Sequence, residues 1–450
     1  MTANRREILG GTAAALAAAQ LGGLAFAKPR PYRVGVIGSG WMGRCDLFAL
    51  MQVAPVEVAA LCDVDTAMLA DLSKRIMAFP DSVLRPARAP ALYRDYRKML
   101  AKHKFDIVIV ATPDHWHALA GIAAMKAGAN VYLEKPITVD VLEGRALVET
   151  ARKTNRVVQV GTQRRASPPH IEAYERVVRD GKLGKIGMVE IYGYYHQRKA
   201  SFPPATNPPA NLDWDFYCGP APFMPYHPEI HPINWRSFRA FGNGYIADLG
   251  VHFVDTVRWM LGLGWPKRVS SVGGVFVDKD SIATVVDTQT AQFEYDNLLM
   301  SWSNREWAEI PPGPAGGWGA KIYGDKGTLT LGSVNYQFDP IEGSPMSGDL
   351  SAEIAKFPND KLLLPSDRQL VPLTRPNMRD FIAAIAAGRR PVADVEEGYI
   401  STSIVILANL AMDLGRPIKW DGKAVIGDEE ANKRLLRPYR APWIHPALPA

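Results

Sequence analysis

The chain has 450 residues, 47% hydrophobic and 22% charged, which excludes a disordered protein and is too long for one ordinary core, so two domains are expected. Its net charge of +6 is dispersed, with only a modest cluster at Lys433, Arg434, Arg437 and Arg440, and no concentrated basic stripe points to nucleic acid. Cys45, Cys62 and Cys218 have no metal-ligand spacing and cannot all pair, so neither a metal site nor a disulfide framework is expected.

The first element is an Arg5-Arg6 pair, then a weakly apolar, Ala- and Gly-rich run from Ile8 to Phe26 that ends on the small-x-small sequence Ala25-Phe26-Ala27. Residues 1–27 read as a cleaved signal peptide of the twin-arginine type, which would carry the folded protein to the periplasm. A membrane anchor is the alternative, but Gln20 and the glycines dilute a run that barely reaches the ~20 apolar residues of a span, so no stable membrane insertion is expected.

Residues 28–160 alternate short apolar runs with helical stretches. Strands are predicted at 33–37, 56–62, 107–111, 131–133 and 157–160, with helices such as 118–126 between them, ended by Gly128. This is the pattern of an α/β doubly wound parallel sheet, the Rossmann dinucleotide-binding architecture. Beyond Gly161 the pattern changes to apolar–polar alternation at 188–195, 269–276, 288–293, 298–303 and 328–331, with Gly324-Asp325-Lys326-Gly327 as a hairpin turn. Residues 161–427 are therefore expected to form an α+β domain with a large, mostly antiparallel open sheet. A Pro-rich insertion at 202–232 is long enough to shape a site or an oligomer contact. Helices are predicted at 377–387 and 397–414, and residues 428–450 as a tail along the surface.

Chemistry-bearing motifs fall at strand ends. Gly38-Ser39-Gly40-Trp41-Met42-Gly43 follows the first strand and opens a helix, and Asp63 ends the second strand at the offset of a ribose-binding acid. The glycines would admit a pyrophosphate against the helix N-terminus. The Asp63 carboxylate would bind ribose hydroxyls and repel a 2′-phosphate, which favours NAD over NADP. Thr112-Pro113-Asp114-His115-Trp116-His117 and Glu134-Lys135-Pro136 lie at two further strand ends beside the same crevice. Thr112 or Asp114 could equally cap a helix, and Lys135 could be an ordinary surface residue. Asp248, His252 and Asp255 fall on one face of a predicted helix after Phe241-Gly242-Asn243-Gly244; a cap at Asp248 and an Asp255–Arg258 pair account for that spacing equally well. Gln163, Arg164 and Arg165, and Trp235 with Arg236, offer donors and a flat apolar face to a small ligand, or simply packing and surface charge. Tyr192, Tyr194 and His196 alternate along one strand face.

The Gly38 turn, Glu134-Lys135-Pro136 and Asp248-x-Gly250-x-His252-x-x-Asp255, in this order and separation, resemble the glucose-fructose oxidoreductase and inositol dehydrogenase (Gfo/Idh/MocA) family, over Tyr32 to at least Leu414. The resemblance implies oxidation of a sugar or cyclitol hydroxyl, with His252 as general base, Lys135 hydrogen-bonded to the reacting oxygen and Asp248 orienting the pair. It also implies that Thr112, Pro113, His117, Glu134 and Gln163 line the nicotinamide half of the cofactor, that Arg164, Trp235 and Arg236 meet the substrate, and that the protein is a homo-oligomer. Export adds a constraint, because an enzyme outside the free NAD pool needs its cofactor tightly bound and recycled in place. The exported format and Asp287-Thr288-Gln289 are also similar to the NAD-dependent α-N-acetylgalactosaminidases, which cleave glycosides through transient oxidation; Asp248 ahead of Gly250 and His252 departs from them.

Overall fold

The computed structural model describes residues 30–79, 84–195, 198–313 and 315–448. The expected signal peptide and His196 lie outside the described residues. By its contacts the chain divides after Pro31, and every element named below belongs to the unit Tyr32–Ala450. No helix among the described residues is long and apolar enough to cross a membrane.

Six strands form the first sheet: β1 (Tyr32–Ile37), β2 (Val56–Cys62), β3 (Ala91–Tyr93), β4 (Ile107–Val110), β5 (Asn130–Leu133) and β6 (Val158–Val160). They are all parallel, in the order β3-β2-β1-β4-β5-β6. Helices α1 (Trp41–Met51), α2 (Thr66–Met77), α3 (Tyr96–Lys102), α4 (His117–Lys126) and α5 (Val141–Thr154) make the connections. The order reverses between β1 and β4, and the register sets Ile37 beside both Cys62 and Val110, so the loops after three strands open on one crevice. Only β3 was not expected, since its apolar run of three residues is too short to stand out and is held by pairing with β2.

The second sheet has nine strands: β7 (Ile186–Gly193), β8 (Arg268–Gly274), β9 (Thr288–Glu294), β10 (Leu299–Arg305), β11 (Trp318–Gly324), β12 (Gly327–Leu331), β13 (Asn335–Pro340), β14 (Met346–Asp349) and β15 (Ile418–Lys419). The order is β14-β13-β12-β11-β7-β10-β9-β8-β15, antiparallel except for the β7–β10 pair. The expected hairpin joins β11 to β12, with Gly324 opposite Gly327. Helices α6 (Val251–Leu261) and α8 (Val395–Leu414) cover one face, where Phe253, Val257, Ile404 and Leu407 join Phe293, Met300 and Trp302 in a core continuous with one side of the first sheet. The opposite face leaves Met188 and Val272 exposed.

A further helix, α7 (Asp367–Ala387), starts ten residues before its predicted boundary. Pro372 and Pro376 argued for a later start, because proline removes a helix donor. Tertiary packing overrides that local cost: Val371, Met378 and Phe381 sit in the core of the first domain with Val36, Leu47, Ile109 and Tyr132. Arg44 of α1 clamps the start of α7 through two bonds to Asp367, at 2.9 and 2.8 Å. The C-terminal segment leaves most of its residues at least partly exposed and is pinned by the buried His445, whose Nε2 donates to Asp140 at 2.9 Å, while Tyr439 bonds Glu143 and Arg437 reaches Asn243. Phe381→Ala should cost about 3–5 kcal/mol of stability, read from urea unfolding of the whole chain, because it empties a fully buried aromatic site; a loss below ~1 kcal/mol would show that α7 is not part of that core.

Candidate functional site

A cavity of about 1310 Å³ opens at the carboxyl ends of β1, β2, β4 and β5 and continues to the start of α6. It is larger than the ~300–1,000 Å³ of a pocket for one small ligand, and has room for a cofactor and a substrate together. Gly38, Gly40, Trp41, Met42, Asp63, Thr112, Pro113, His117, Glu134, Lys135 and Gln163 line it, and so do Arg164, Trp235, Arg236, Asp248 and His252.

Ser39 and Gly43 do not line it; they build its floor. At Gly38, φ is +95° and a Cβ would stand 2.5 Å from the Ala111 carbonyl, so only glycine lets the turn pass β4. At Gly43 a Cβ would stand 1.9 Å from the Gly38 oxygen, so glycine here lets α1 approach the turn. Gly40 faces open space. The Ser39 amide donates to Asp63 Oδ2 at 2.7 Å and the Asp65 amide to Oδ1 at 3.0 Å. Each carboxylate oxygen keeps a second lone pair for ribose hydroxyls. A helix N-terminus beneath an uncluttered glycine turn, with an oriented acid beside it, fits a dinucleotide.

The Pro-rich insertion closes this end of the crevice. Leu212 bridges Asp65, Asn211 Nδ2 donates to Asp65 Oδ1 at 2.7 Å, and His231 Nε2 meets Asp65 Oδ2 at 2.9 Å. Burial raises the Asp65 carboxyl, but these partners outweigh it and hold the group at about 2. Trp235 lines the cavity and packs with Trp214, Phe238 and Phe241, and the Arg236 guanidinium lies 4.3 Å over its ring.

At the other end the loops after β4 and β5 are tied by His117, with Nδ1 2.7 Å from the Pro136 oxygen and Nε2 2.8 Å from the Thr112 oxygen. Its partner in sequence, His115, faces the Tyr217 oxygen at 2.8 Å. Glu134 accepts from the Lys135 amide at 3.1 Å; burial drives its carboxyl up to about 7 against the opposing charge of Lys135.

Lys135 Nζ reaches across the domain boundary to Asp248, 2.8 Å from Oδ1 and 2.9 Å from the main-chain oxygen. Arg236 Nε approaches the other carboxylate oxygen at 3.3 Å. Burial raises the Asp248 carboxyl, but the two cations override it and hold it at about 2. Asp248 lies in a π-helical turn, Ile246–Gly250, rather than in the regular helix its spacing suggested. His252 follows in the first turn of α6, its ring edge-to-face with Trp318 at 5.3 Å and its Nδ1 without a hydrogen-bond partner among the described residues. Burial, then the charges of Lys135 and Arg164, keep its proton affinity well below the ordinary histidine value, so the ring is a neutral acceptor. Asp255 belongs elsewhere: both its oxygens bind Arg165, at 2.7 and 3.0 Å, instead of the anticipated Arg258.

Trp318 was missed by the sequence reading. It opens β11 within Gly316-Gly317-Trp318-Gly319, a lone aromatic among glycines whose half-buried strand has no clean alternation. Where Asp63 holds the ribose, Asp63→Ala should weaken NAD binding by about 10-fold or more relative to NADP, the loss of one charge-assisted contact. Equal affinities for both cofactors in wild type and variant, by titration of intrinsic fluorescence, would exclude Asp63 from the ribose.

Three segments match known families: residues 32–162 the "Oxidoreductase family, NAD-binding Rossmann fold", 171–330 the "GFO/IDH/MocA C-terminal domain" and 351–445 the "Oxidoreductase family, C-terminal alpha/beta domain". The rhizopine catabolism protein MocA of Rhizobium meliloti is 26% identical over 292 residues, spanning 63% of this chain and 74% of that protein. A glycosyl hydrolase family 109 protein of Shewanella pealeana is 31% identical over 134 residues, but these are 30% of this chain and 29% of that protein. Among solved structures, myo-inositol 2-dehydrogenase from Lactobacillus plantarum superposes with a TM-score of 0.62 at 18% identity, covering 87% of this chain and 99% of the other. Levoglucosan dehydrogenase in complex with NADH and levoglucosan gives 0.63 at 18% identity, over 87% and 99%. The glycine cradle, the oriented Asp63 and the two-sheet architecture agree with these matches: the chain belongs to the Gfo/Idh/MocA family of oxidoreductases, with an NAD-binding Rossmann domain.

Proposed function

We propose that this protein oxidises a secondary hydroxyl of a sugar, sugar derivative or cyclitol with NAD. One observation carries the reading: the Lys135–Asp248 pair and His252 line the same cavity as the glycine turn. Held by the glycine turn and Asp63, NAD would supply the acceptor for the carbinol hydrogen and both electrons of its C–H bond. His252 takes the hydroxyl proton, and its neutrality makes it competent to do so. Lys135 donates a hydrogen bond to the oxygen as it becomes a carbonyl, and Asp248 fixes the ammonium in place. Sugar and cyclitol dehydrogenases among the structural neighbours support the substrate class. The position of Asp63 supports a preference for NAD over NADP.

Arg5-Arg6 and the apolar run after them support twin-arginine export to the periplasm with tightly held NAD, and the uncovered face of the nine-stranded sheet supports a homo-oligomer. The glycosyl hydrolase family 109 relatives support a second reading, in which transient oxidation at C3 leads to elimination of the glycosidic group, hydration and return of the hydride. Incubation with sugars and aryl glycosides in deuterated water separates the two. A keto sugar with accumulated NADH supports net oxidation, whereas deuterium at C2 with a released aglycone supports cleavage. Absence of NAD both from the purified, denatured protein and from binding titrations would sink either reading.

Lys135→Ala and His252→Ala should each retain NAD and lose about 100-fold or more in turnover; wild-type rates in either variant would remove that residue from the chemistry. The acid limb of kcat/KM should lie below pH 6.5, since a base with depressed proton affinity stays deprotonated as the pH falls. A limb at or above the ordinary histidine value would assign proton removal to another group.

A further inference from the structure

Arg164 lies in the turn Gln163–Ala166 after β6, with only 2% of its surface exposed. Its guanidinium is lodged in the corner between two rings that meet edge to face, 4.7 Å from the centre of Phe253 and 4.6 Å from that of Trp318. Nε and Nη1 are buried without a hydrogen-bond partner among the described residues.

The other deeply buried arginines differ. Arg165 is held by Asp255 and Glu397, Arg375 by Asp360 and Glu353, Arg258 by Ser401 and Glu397, and Arg198 by main-chain oxygens of Val285 and Ala283. A cation taken from water without a counter-charge is strongly unfavourable, and folds complete such groups with a partner or a ligand. No acid nearby can serve: Asp248 is engaged by Lys135 and Arg236, and Asp255 by Arg165. Arg164 lines the same cavity as Lys135 and His252, and Trp318 packs against both His252 and Arg164. The unmatched positive charge therefore sits at the reacting end of the cleft.

We propose that the substrate carries a carboxylate, as a uronic acid, an aldonic acid or a glycoside of one, and that Arg164 binds that group. The proposal rests on the hydride-transfer reading only for what happens after binding. A carboxylate is favoured over a phosphate because a single guanidinium, flanked by two rings, matches a monoanion in charge. A phosphate dianion needs further donors, and Lys135 and Arg236 are both committed to Asp248.

The test is calorimetric titration of the NAD-loaded protein with D-gluconate, D-glucuronate, methyl glucoside and glucose 6-phosphate, for wild type, Arg164→Gln and Arg164→Lys. Wild type should bind the two carboxylates about 10- to 100-fold more tightly than the neutral glycoside, the range of a charge-assisted pair. Arg164→Gln should erase that preference, and Arg164→Lys should keep part of it. Equal binding of acidic and neutral sugars by wild type, or an undiminished preference in Arg164→Gln, overturns the proposal. Tighter binding of glucose 6-phosphate than of either carboxylate overturns it in favour of a phosphate. If Arg164→Gln does not fold, the wild-type ranking and Arg164→Lys decide. Turnover of neutral sugars without an acidic preference defeats this inference and leaves the proposed activity standing, whereas a carboxylate preference without hydride transfer to any sugar does the reverse.

Discussion

Lys135 stands at the end of a strand in the first domain and Asp248 in the turn that opens α6 in the second, so their 2.8 Å contact sets where the two halves of the cleft meet. The rest of the site follows from it. With Asp248 shared between Lys135 and Arg236, the carboxylate stays ionised despite its burial. Burial, with the charges of Lys135 and Arg164 added, makes protonation of His252 unfavourable, which leaves that ring free to accept a proton. Among the described residues Arg164 forms no ion pair, and Asp255, whose charge reaches it, is spent on Arg165. One lysine thus links the geometry of the cleft to the proton affinity of its base.

The floor of the nicotinamide end follows the opposite electrostatic logic. Asp46 is fully buried in α1, neither carboxylate oxygen has a hydrogen-bond partner among the described residues, and burial followed by the charge of Glu134 pushes its carboxyl well above the usual range. Glu134 is raised by the same burial but keeps an amide and the Lys135 charge beside it. Both carboxyl groups are therefore protonated more readily than exposed acids. The cleft consequently has a cationic wall toward the substrate and a largely neutralised acidic floor beneath it.

Features set by local chemistry were legible in the sequence. Gly38, Gly43 and Asp63 announce their roles through spacing within one βαβ unit, and the parallel strands declare themselves as continuous apolar runs. The line of cleft residues from Thr112 to Gln163 follows from strand ends alone. Features that depend on distant packing were not legible. The Arg236 guanidinium over the Trp235 ring has no signal in the sequence, and Asp255 looked able to reach Arg258 until the fold brought Arg165 to it. Trp318 carries no motif, and becomes part of the site only because β11 pairs beside β7. The π-helical turn at Asp248 shifts a side chain that a regular spacing of four would have set directly under His252.

Helix α7 joins the two ends of the chain in another sense. Its apolar face completes the core built by β1, β4 and α1, yet it lies more than 200 residues beyond β6 in the sequence. During synthesis, therefore, the dinucleotide-binding half emerges early but lacks Met378 and Phe381 until almost the whole chain has left the ribosome. Its apolar surface stays open through that interval, and domain-by-domain folding is replaced by a closure that waits for the C-terminal third. Cofactor capture is then coupled to completion of the polypeptide, so a truncated chain would be both unfinished in its core and unable to hold a dinucleotide.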